Sequence, residues 1–179
     1  MEMREETKKV LLVIAPENFR DEEYREPREV LEARGWKVEV ASTSLREARG
    51  MLGMTVKPDL LLDQADGRDY EAVVFVGGSG SSCYWDHPAA HALARQMYEA
   101  GKVVGAICIA PVTLANAGLL RGRRATCWPE VQERLKSKEA LYTGNPVEVD
   151  GRVITGSGPQ AARAFGEALA RALGQAARP

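Results

Sequence analysis

The sequence has no surplus of charge: 24 basic and 25 acidic residues leave a net charge of −1. Without a basic excess or an acidic tail, no nucleic-acid partner and no anionic-membrane partner is expected. Long apolar runs are missing too, the longest being about seven residues against the roughly 20 that a membrane span needs. Met1 to Lys8 is charged and holds no apolar stretch, so no secretory signal is expected. Cysteine is scarce and odd in number. Cys83, Cys108 and Cys127 show no C-x-x-C spacing, which excludes a disulfide scaffold and a four-cysteine zinc site. A reducing, cytoplasmic setting is the resulting expectation. Histidine is scarcer still. Cys83, His87 and His91 stand four apart, a hint of a metal site, but Pro88 breaks the continuity that one helical face would need. The expectation is no metal and no cofactor.

What the 179 residues do hold is an alternation of strand and helix. The length and an apolar fraction of 45% suit one domain, expected over residues 8–174 with short tails at 1–7 and 175–179. Lys9 to Ala15 (KVLLVIA), Ala72 to Val76 (AVVFV) and Lys102 to Ile107 (KVVGAI) are almost continuously apolar, as strands covered on both faces are. Trp36 to Ala41 alternates as a further strand, and Ser42 to Gln64 reads as a hairpin plus another short strand. Short strands are expected around Ala125–Cys127, Val147–Val149 and Val153–Thr155, with Asp150-Gly151 turning the last two into a hairpin. Helices are expected from Asp21 to Ala33 with a kink or late start at Pro27, from Pro88 to Glu99, near Pro111, and from Pro159 to about Leu173. The last places Ala161, Phe165, Leu169 and Leu173 on one core-facing stripe. Such a β-α-β order predicts a three-layer α/β/α sandwich around a mostly parallel sheet, with the site beyond the carboxyl ends of the strands.

Two strand ends there carry chemistry. Cys108 closes one buried strand and precedes a helix, with small Ala106 and Ala110 two residues either side, as a tight strand-turn-helix elbow requires. The helix start favours a thiolate there; a buried, inert cysteine is the plainer alternative. Gly77-Gly78 closes another strand, and a glycine at that point can aim its N–H at the thiol as half of an oxyanion hole, or simply form a loop. The run that follows, GSGSSC, lacks the third glycine of a dinucleotide fingerprint and does not match a phosphate loop. Glu17, Glu22 and Glu23, taken by themselves, read as solvated charges at a helix start.

FRDEEY from Phe19 to Tyr24 with Pro27 behind it, then VFVGG, GKVVGAICIAP and AGLLRGRRAT, resembles the DJ/PfpI superfamily, in family order over nearly the whole chain. The resemblance implies a class-I glutamine-amidotransferase-like (flavodoxin-like) fold and a homo-oligomer, dimer or hexamer. It implies that Cys108 is the reactive cysteine, that the N–H groups of Gly78 and Ile109 form the oxyanion hole, and that Glu23 hydrogen-bonds the thiol. A buried carboxyl beside a thiolate is pushed toward its protonated form and can donate to sulfur. Another glutamate position of the family is filled by Arg20, for which Glu17 is the available substitute. Cys127 falls where relatives place a polar pocket residue and Trp128 is a candidate pocket wall, though both also read as core. Protease-like members carry a histidine directly after the cysteine, where this chain has Ile109, and an acid from a neighbouring subunit at the position of Ser82.

Two function classes follow. The first is a cofactor-free enzyme in which Cys108 attacks an α-oxoaldehyde or its adduct, a small carbonyl substrate, as glyoxalases and deglycases do; peptide or amide hydrolysis is weakened by Ile109. The second is a non-enzymatic stress protein, with Cys108 as an oxidation sensor and the oligomer as a chaperone.

Overall fold

The computed structural model describes residues 8–176. The expected tail at 1–7 lies outside them, as do residues 177–179 of the expected carboxyl-terminal tail. The central sheet is built from β1 (Lys9–Val13), β3 (Lys37–Ser42), β6 (Leu60–Leu61), β7 (Ala72–Phe75), β8 (Val103–Ile107), β11 (Val147–Asp150) and β12 (Val153–Gly156), in the order β11-β12-β8-β7-β1-β3-β6. All neighbours run parallel except β11, which pairs antiparallel with β12 across the turn at Asp150-Gly151. Alternate residues of β1 feed opposite faces. Leu11 and Val13 join the core under α2 (Pro88–Glu99) and α3 (Pro111–Asn116). Val10 and Leu12 join the core under α1 (Asp21–Ala33) and α5 (Ala162–Ala176), the latter including Phe165, Leu169 and Leu173. That is the three-layer sandwich.

Boundaries moved where local signals are weak. β9 (Arg124–Ala125) stops short of Cys127, and pairs parallel with β10 (Leu141–Tyr142), a strand not expected. The short helix α4 (Gln132–Lys136) also went unread. So did β2 (Glu17–Phe19), which joins β4 (Ala48–Gly50) and β5 (Thr55–Val56) in a separate small sheet. Two- and three-residue strands have too little periodicity to show, and distant partners hold them. The last helix starts as a 3₁₀ turn at Pro159–Ala161 and continues to Ala176 rather than stopping near Leu173, so it takes in the first two residues of the expected tail.

Pro27 sits inside α1. Lacking an N–H, it cannot bond the carbonyl of Glu23 one turn earlier. Its ring position is set by α5: a side chain at Gly166 would come within 2.9 Å of the Pro27 Cα, so the two helices approach at their backbones.

Candidate active site

Because β1, β7 and β8 run parallel and in register, with Val13 opposite Phe75 and Phe75 opposite Ala106, their carboxyl ends open on one edge. Beyond β8 the Cys108 N–H still donates to the Gly156 carbonyl at 2.9 Å, prolonging the ladder by one residue. The chain then turns sharply: Cys108 has φ +68°, a left-handed conformation that costs a side-chain-bearing residue on the order of 1–2 kcal/mol. The Ala110 N–H reaches back to the Ile107 carbonyl at 3.1 Å and closes the turn before α3. The elbow expected at this cysteine is present, and it leaves the residue 8% exposed.

Gly78, beyond β7, has φ +102°, and a Cβ there would lie 2.3 Å from the Arg20 nitrogen and 2.5 Å from the Asn18 carbonyl oxygen. Only glycine fits that backbone and that gap. In this arrangement the N–H groups of Gly78 and Ile109 both donate toward the Cys108 sulfur. Gly77 is needed for space. A methyl group on it would stand 2.2 Å from a Glu23 carboxyl oxygen and 2.6 Å from the Cys108 Cβ.

Glu23 comes from the first turn of α1 and is 0% exposed. Neither carboxyl oxygen has a partner at full hydrogen-bonding geometry; the Cys108 thiol and the Gly77 N–H are the polar groups that face them. Burial pushes this carboxyl up to about 8, more than its neighbours pull it down, so it holds a proton at neutral pH. Burial, with the Glu23 carboxylate second, pushes the Cys108 thiol up to about 12, against the two N–H donors that pull it down. The helix-start argument alone pointed to a stabilised thiolate, and here it is outweighed: α3 is only six residues long, and desolvation is the larger effect. The two groups titrate as a pair, and with Glu23 protonated its repulsion of the thiolate disappears.

Beside this pair lies an open cleft of about 700 Å³, walled by Arg20, Glu22 and Glu26 from α1 and its entry and by Cys127, Trp128 and Tyr142 opposite. Trp128 ties the wall to the elbow, its backbone N–H donating to the Cys108 carbonyl at 2.8 Å. Arg20 is clamped by Glu22, Nε to Oε1 at 3.1 Å and Nη2 to Oε2 at 2.9 Å, which holds the Glu22 carboxyl below its usual range. Cys127 is fully buried and Trp128 is 39% exposed, and both lie along the cleft. Glu17 is exposed on β2 and is not among the cleft residues. Glu26 and Tyr142 were not singled out from the sequence; the i, i+4 spacing of Glu22 and Glu26 was the available signal for the first.

Neither histidine reaches the elbow. His87 caps α2, its Nδ1 accepting from the Ala89 N–H at 3.2 Å, and the His91 ring bonds the Trp85 carbonyl at 2.8 Å. Among the described residues no three His, Cys, Asp or Glu side chains gather as a metal site would require. Ser82, at the position of the protease-type acid, spends its hydroxyl on the Ser79 carbonyl at 3.2 Å.

Residues 8–172 match the model of the DJ-1/PfpI family. The chain belongs to that family. An uncharacterized protein of Methanocaldococcus jannaschii is 45% identical to it, over 96% of this chain and 86% of the relative. A protein of Thermococcus kodakarensis named a deglycase is 31% identical, over 83% of this chain and 90% of its own length. Among solved structures, the ThiJ/PfpI domain protein from Brachyspira murdochii superposes with a TM-score of 0.93 at 33% identity, covering 96% of this chain and 99% of that one. DJ-1/PfpI membership and the mostly parallel, helix-flanked sheet therefore agree with the reading of the motifs. Among the described residues no helix is long and apolar enough to cross a membrane.

Proposed function

We propose that this protein is a cysteine-dependent, cofactor-free enzyme that acts on α-oxoaldehydes or their adducts. The observation that carries the reading is the Cys108 sulfur held in a strained elbow, facing two backbone N–H groups and a buried, proton-bearing Glu23. The Cys108 thiol loses its proton to solvent through the open cleft and the sulfur adds to the aldehyde carbon; a C–S bond forms and the carbonyl π pair moves to oxygen. The N–H groups of Gly78 and Ile109, already aimed at the sulfur, are placed to receive that oxyanion, and Glu23 supplies the proton that neutralises it. Glu23, now a carboxylate, can take the C–H proton of the adduct and return it to the adjacent carbonyl carbon, while the proton of the adduct hydroxyl passes to the ketone oxygen. The aldehyde carbon is thereby oxidised to a thioester while the ketone is reduced to an alcohol, so no external oxidant is needed. Water then releases a 2-hydroxy acid and restores Cys108. An amine adduct of the same aldehyde plus water gives the same acid and the free amine.

Peptide hydrolysis fits less well. It needs a proton delivered to a poor leaving group, Ile109 cannot deliver one, and both histidines are engaged elsewhere. The acting form is a homo-oligomer, for which the exposed Leu45, Met51 and Leu52 offer apolar surface, and sedimentation of the purified protein tests it. The decisive experiment is turnover of methylglyoxal to lactate by the wild type, Cys108→Ser and Glu23→Gln. Cys108→Ser should abolish it, and Glu23→Gln should lower it by about 10²–10⁴-fold. Turnover that survives Cys108→Ser overturns the proposal, and a wild type inactive on all carbonyl substrates but chaperone-active would move the protein to the second class.

A further inference from the structure

The two N–H groups that face the Cys108 sulfur belong to peptide units whose carbonyls are already held. In a trans peptide the N–H and C=O point in opposite directions, so fixing the carbonyl aims the N–H. The Gly77 carbonyl accepts from the Arg20 N–H at 2.9 Å, and the Gly78 N–H of that unit points to the sulfur. The Cys108 carbonyl accepts from the Trp128 backbone N–H at 2.8 Å, and the Ile109 N–H of that unit does the same. Main chain thus sets both orientations. It leaves the spacing between the two units open, because the β7–β8 ladder ends at Phe75 and Ala106, three residues before each donor. Apart from the sulfur contacts, one hydrogen bond among the described residues joins Gly77–Asp86 to Cys108–Ala110. The Trp85 indole Nε1–H donates to the Ile109 carbonyl at 3.0 Å.

Trp85 stands at the far end of a stiff strut that begins at Gly78. The 3₁₀ segment Ser79–Tyr84 runs for six residues, longer than the roughly three or four at which such turns usually stop. Side chains hold it in shape. The Ser81 hydroxyl donates to the Gly78 carbonyl at 2.8 Å, and the Tyr84 hydroxyl donates to the Ile14 carbonyl at 2.8 Å. Beyond the strut, the Trp85 carbonyl accepts from Asn116 Nδ2 of α3 at 3.0 Å and bonds the His91 ring of α2 at 2.8 Å. The Arg134 guanidinium of α4 covers the indole, 4.5 Å from its centre. Three helices therefore fix this side chain, and its single donor is spent on Ile109. That carbonyl has one other partner among the described residues, the Val112 N–H at 3.3 Å, a long bond in the first turn of α3.

We propose that Trp85 is a positioning residue of the oxyanion hole: by gripping the Ile109 carbonyl, its indole N–H sets the separation of the Gly78 and Ile109 N–H groups. The inference rests on the reading that these two groups receive the oxyanion formed at Cys108. Two variants delete the donor. Trp85→Phe keeps an aromatic ring beneath Arg134, and replacement of Trp85 by β-(3-benzothienyl)alanine puts sulfur where the N–H was, with nearly the same shape. Losing an oxyanion donor outright typically costs about 10²–10³-fold in kcat, so loosening one should cost about tenfold, with KM for methylglyoxal within about twofold of wild type. A second readout needs no turnover. The same N–H groups favour the Cys108 thiolate, so its alkylation by iodoacetamide at pH 8, mapped by mass and scaled to N-acetylcysteine, should slow about threefold. That is the effect of raising the thiol by about one pH unit: about tenfold less thiolate, offset by about threefold greater nucleophilicity. Arg134→Met uncovers the ring but keeps the N–H; it should lower Tm and leave kcat and alkylation unchanged. Cys108 alkylation at the wild-type rate in the benzothienyl protein, or losses matched by Arg134→Met, would overturn the role. A wild type inactive on methylglyoxal whose alkylation still slows in both Trp85 variants sinks the proposed reaction and keeps Trp85 as the residue that sets the two N–H groups. Turnover that Cys108→Ser abolishes but neither Trp85 variant lowers sinks the positioning role alone.

Discussion

Replacing Glu23 by glutamine removes a carboxyl that burial raises from 4.5 to about 8. In the unfolded chain this group ionises near its ordinary value, whereas in the folded protein it keeps its proton to about 8. Between those limits the unfolded state alone gains from losing the proton, so each pH unit removes about 1.4 kcal/mol of folding stability. A raised folded pKa means that the stability is fully present below about 4.5 and drains away as pH climbs to about 8. From pH 5 to pH 8 the loss is about 4 kcal/mol, a large share of the roughly 5–15 kcal/mol that holds a domain together. Glutamine has nearly the same volume and does not titrate. At pH 5 it should cost about 1–3 kcal/mol, because its buried amide finds only the sulfur and the Gly77 backbone to face. By pH 8 the variant should have overtaken the wild type. Urea unfolding at half-unit pH steps, followed by tryptophan fluorescence, gives the difference directly. Groups common to both proteins cancel, and the Cys108 thiol, pushed up to about 12, titrates outside the window. A stability difference that stays flat from pH 5 to pH 8 would refute the reasoning. It would mean that Glu23 is ionised in the folded protein and has no proton with which to neutralise an oxyanion at Cys108.

Three further outcomes follow from the same geometry. Gly77→Ala places a methyl group 2.5 Å from the Ile107 carbonyl oxygen and 2.2 Å from Glu23; the backbone cannot yield, so stability should fall by about 3 kcal/mol and Tm by about 10 °C, read by calorimetry. Asp21 accepts from the N–H groups of Leu52 at 3.0 Å and Met54 at 2.9 Å, so Asp21→Ala should cost about 2–4 kcal/mol and speed hydrogen exchange at those two amides, while Asp21→Asn should lose less. Casein or a fluorogenic peptide should be cleaved at least about 10²-fold less efficiently than methylglyoxal is consumed, and robust Cys108-dependent peptide cleavage would reveal a proton donor outside the residues considered above.

The parts of this protein that were legible in the amino-acid sequence are those decided by neighbours in the chain. β1, β7 and β8 announce themselves as continuous apolar runs because both their faces are covered. α2 begins at Pro88 and ends at Glu99, as its proline and Gly101 require. The left-handed turn at Cys108 follows from the small residues around it, and the glycine at position 78 from the backbone it must adopt. Motif order carried the family. By contrast, β2 and β10 are held by pairing with β4 and β9, whose partner residues lie 31–32 and 17 positions away, so no local pattern marks them.

The site was half legible for the same reason. Cys108, Gly78 and Ile109 sit at strand ends whose meeting point a parallel sheet dictates. The charge state of Glu23 does not follow from its place in the chain. The run DEEY at the start of α1 reads as a solvated helix terminus, and its third residue keeps its proton because burial against Gly77 and Cys108 excludes water from it. The thiol follows the same rule: a helix start is visible in sequence, but the desolvation that outweighs it belongs to the assembled interior. Arg20, Glu22 and Glu26 diverge in the same way, one pair cancelling and one carboxylate left to the cleft. Composition and periodicity determine which residues are buried together. What a buried charge is worth depends on the distance to groups far along the chain, and only the tertiary structure sets that distance.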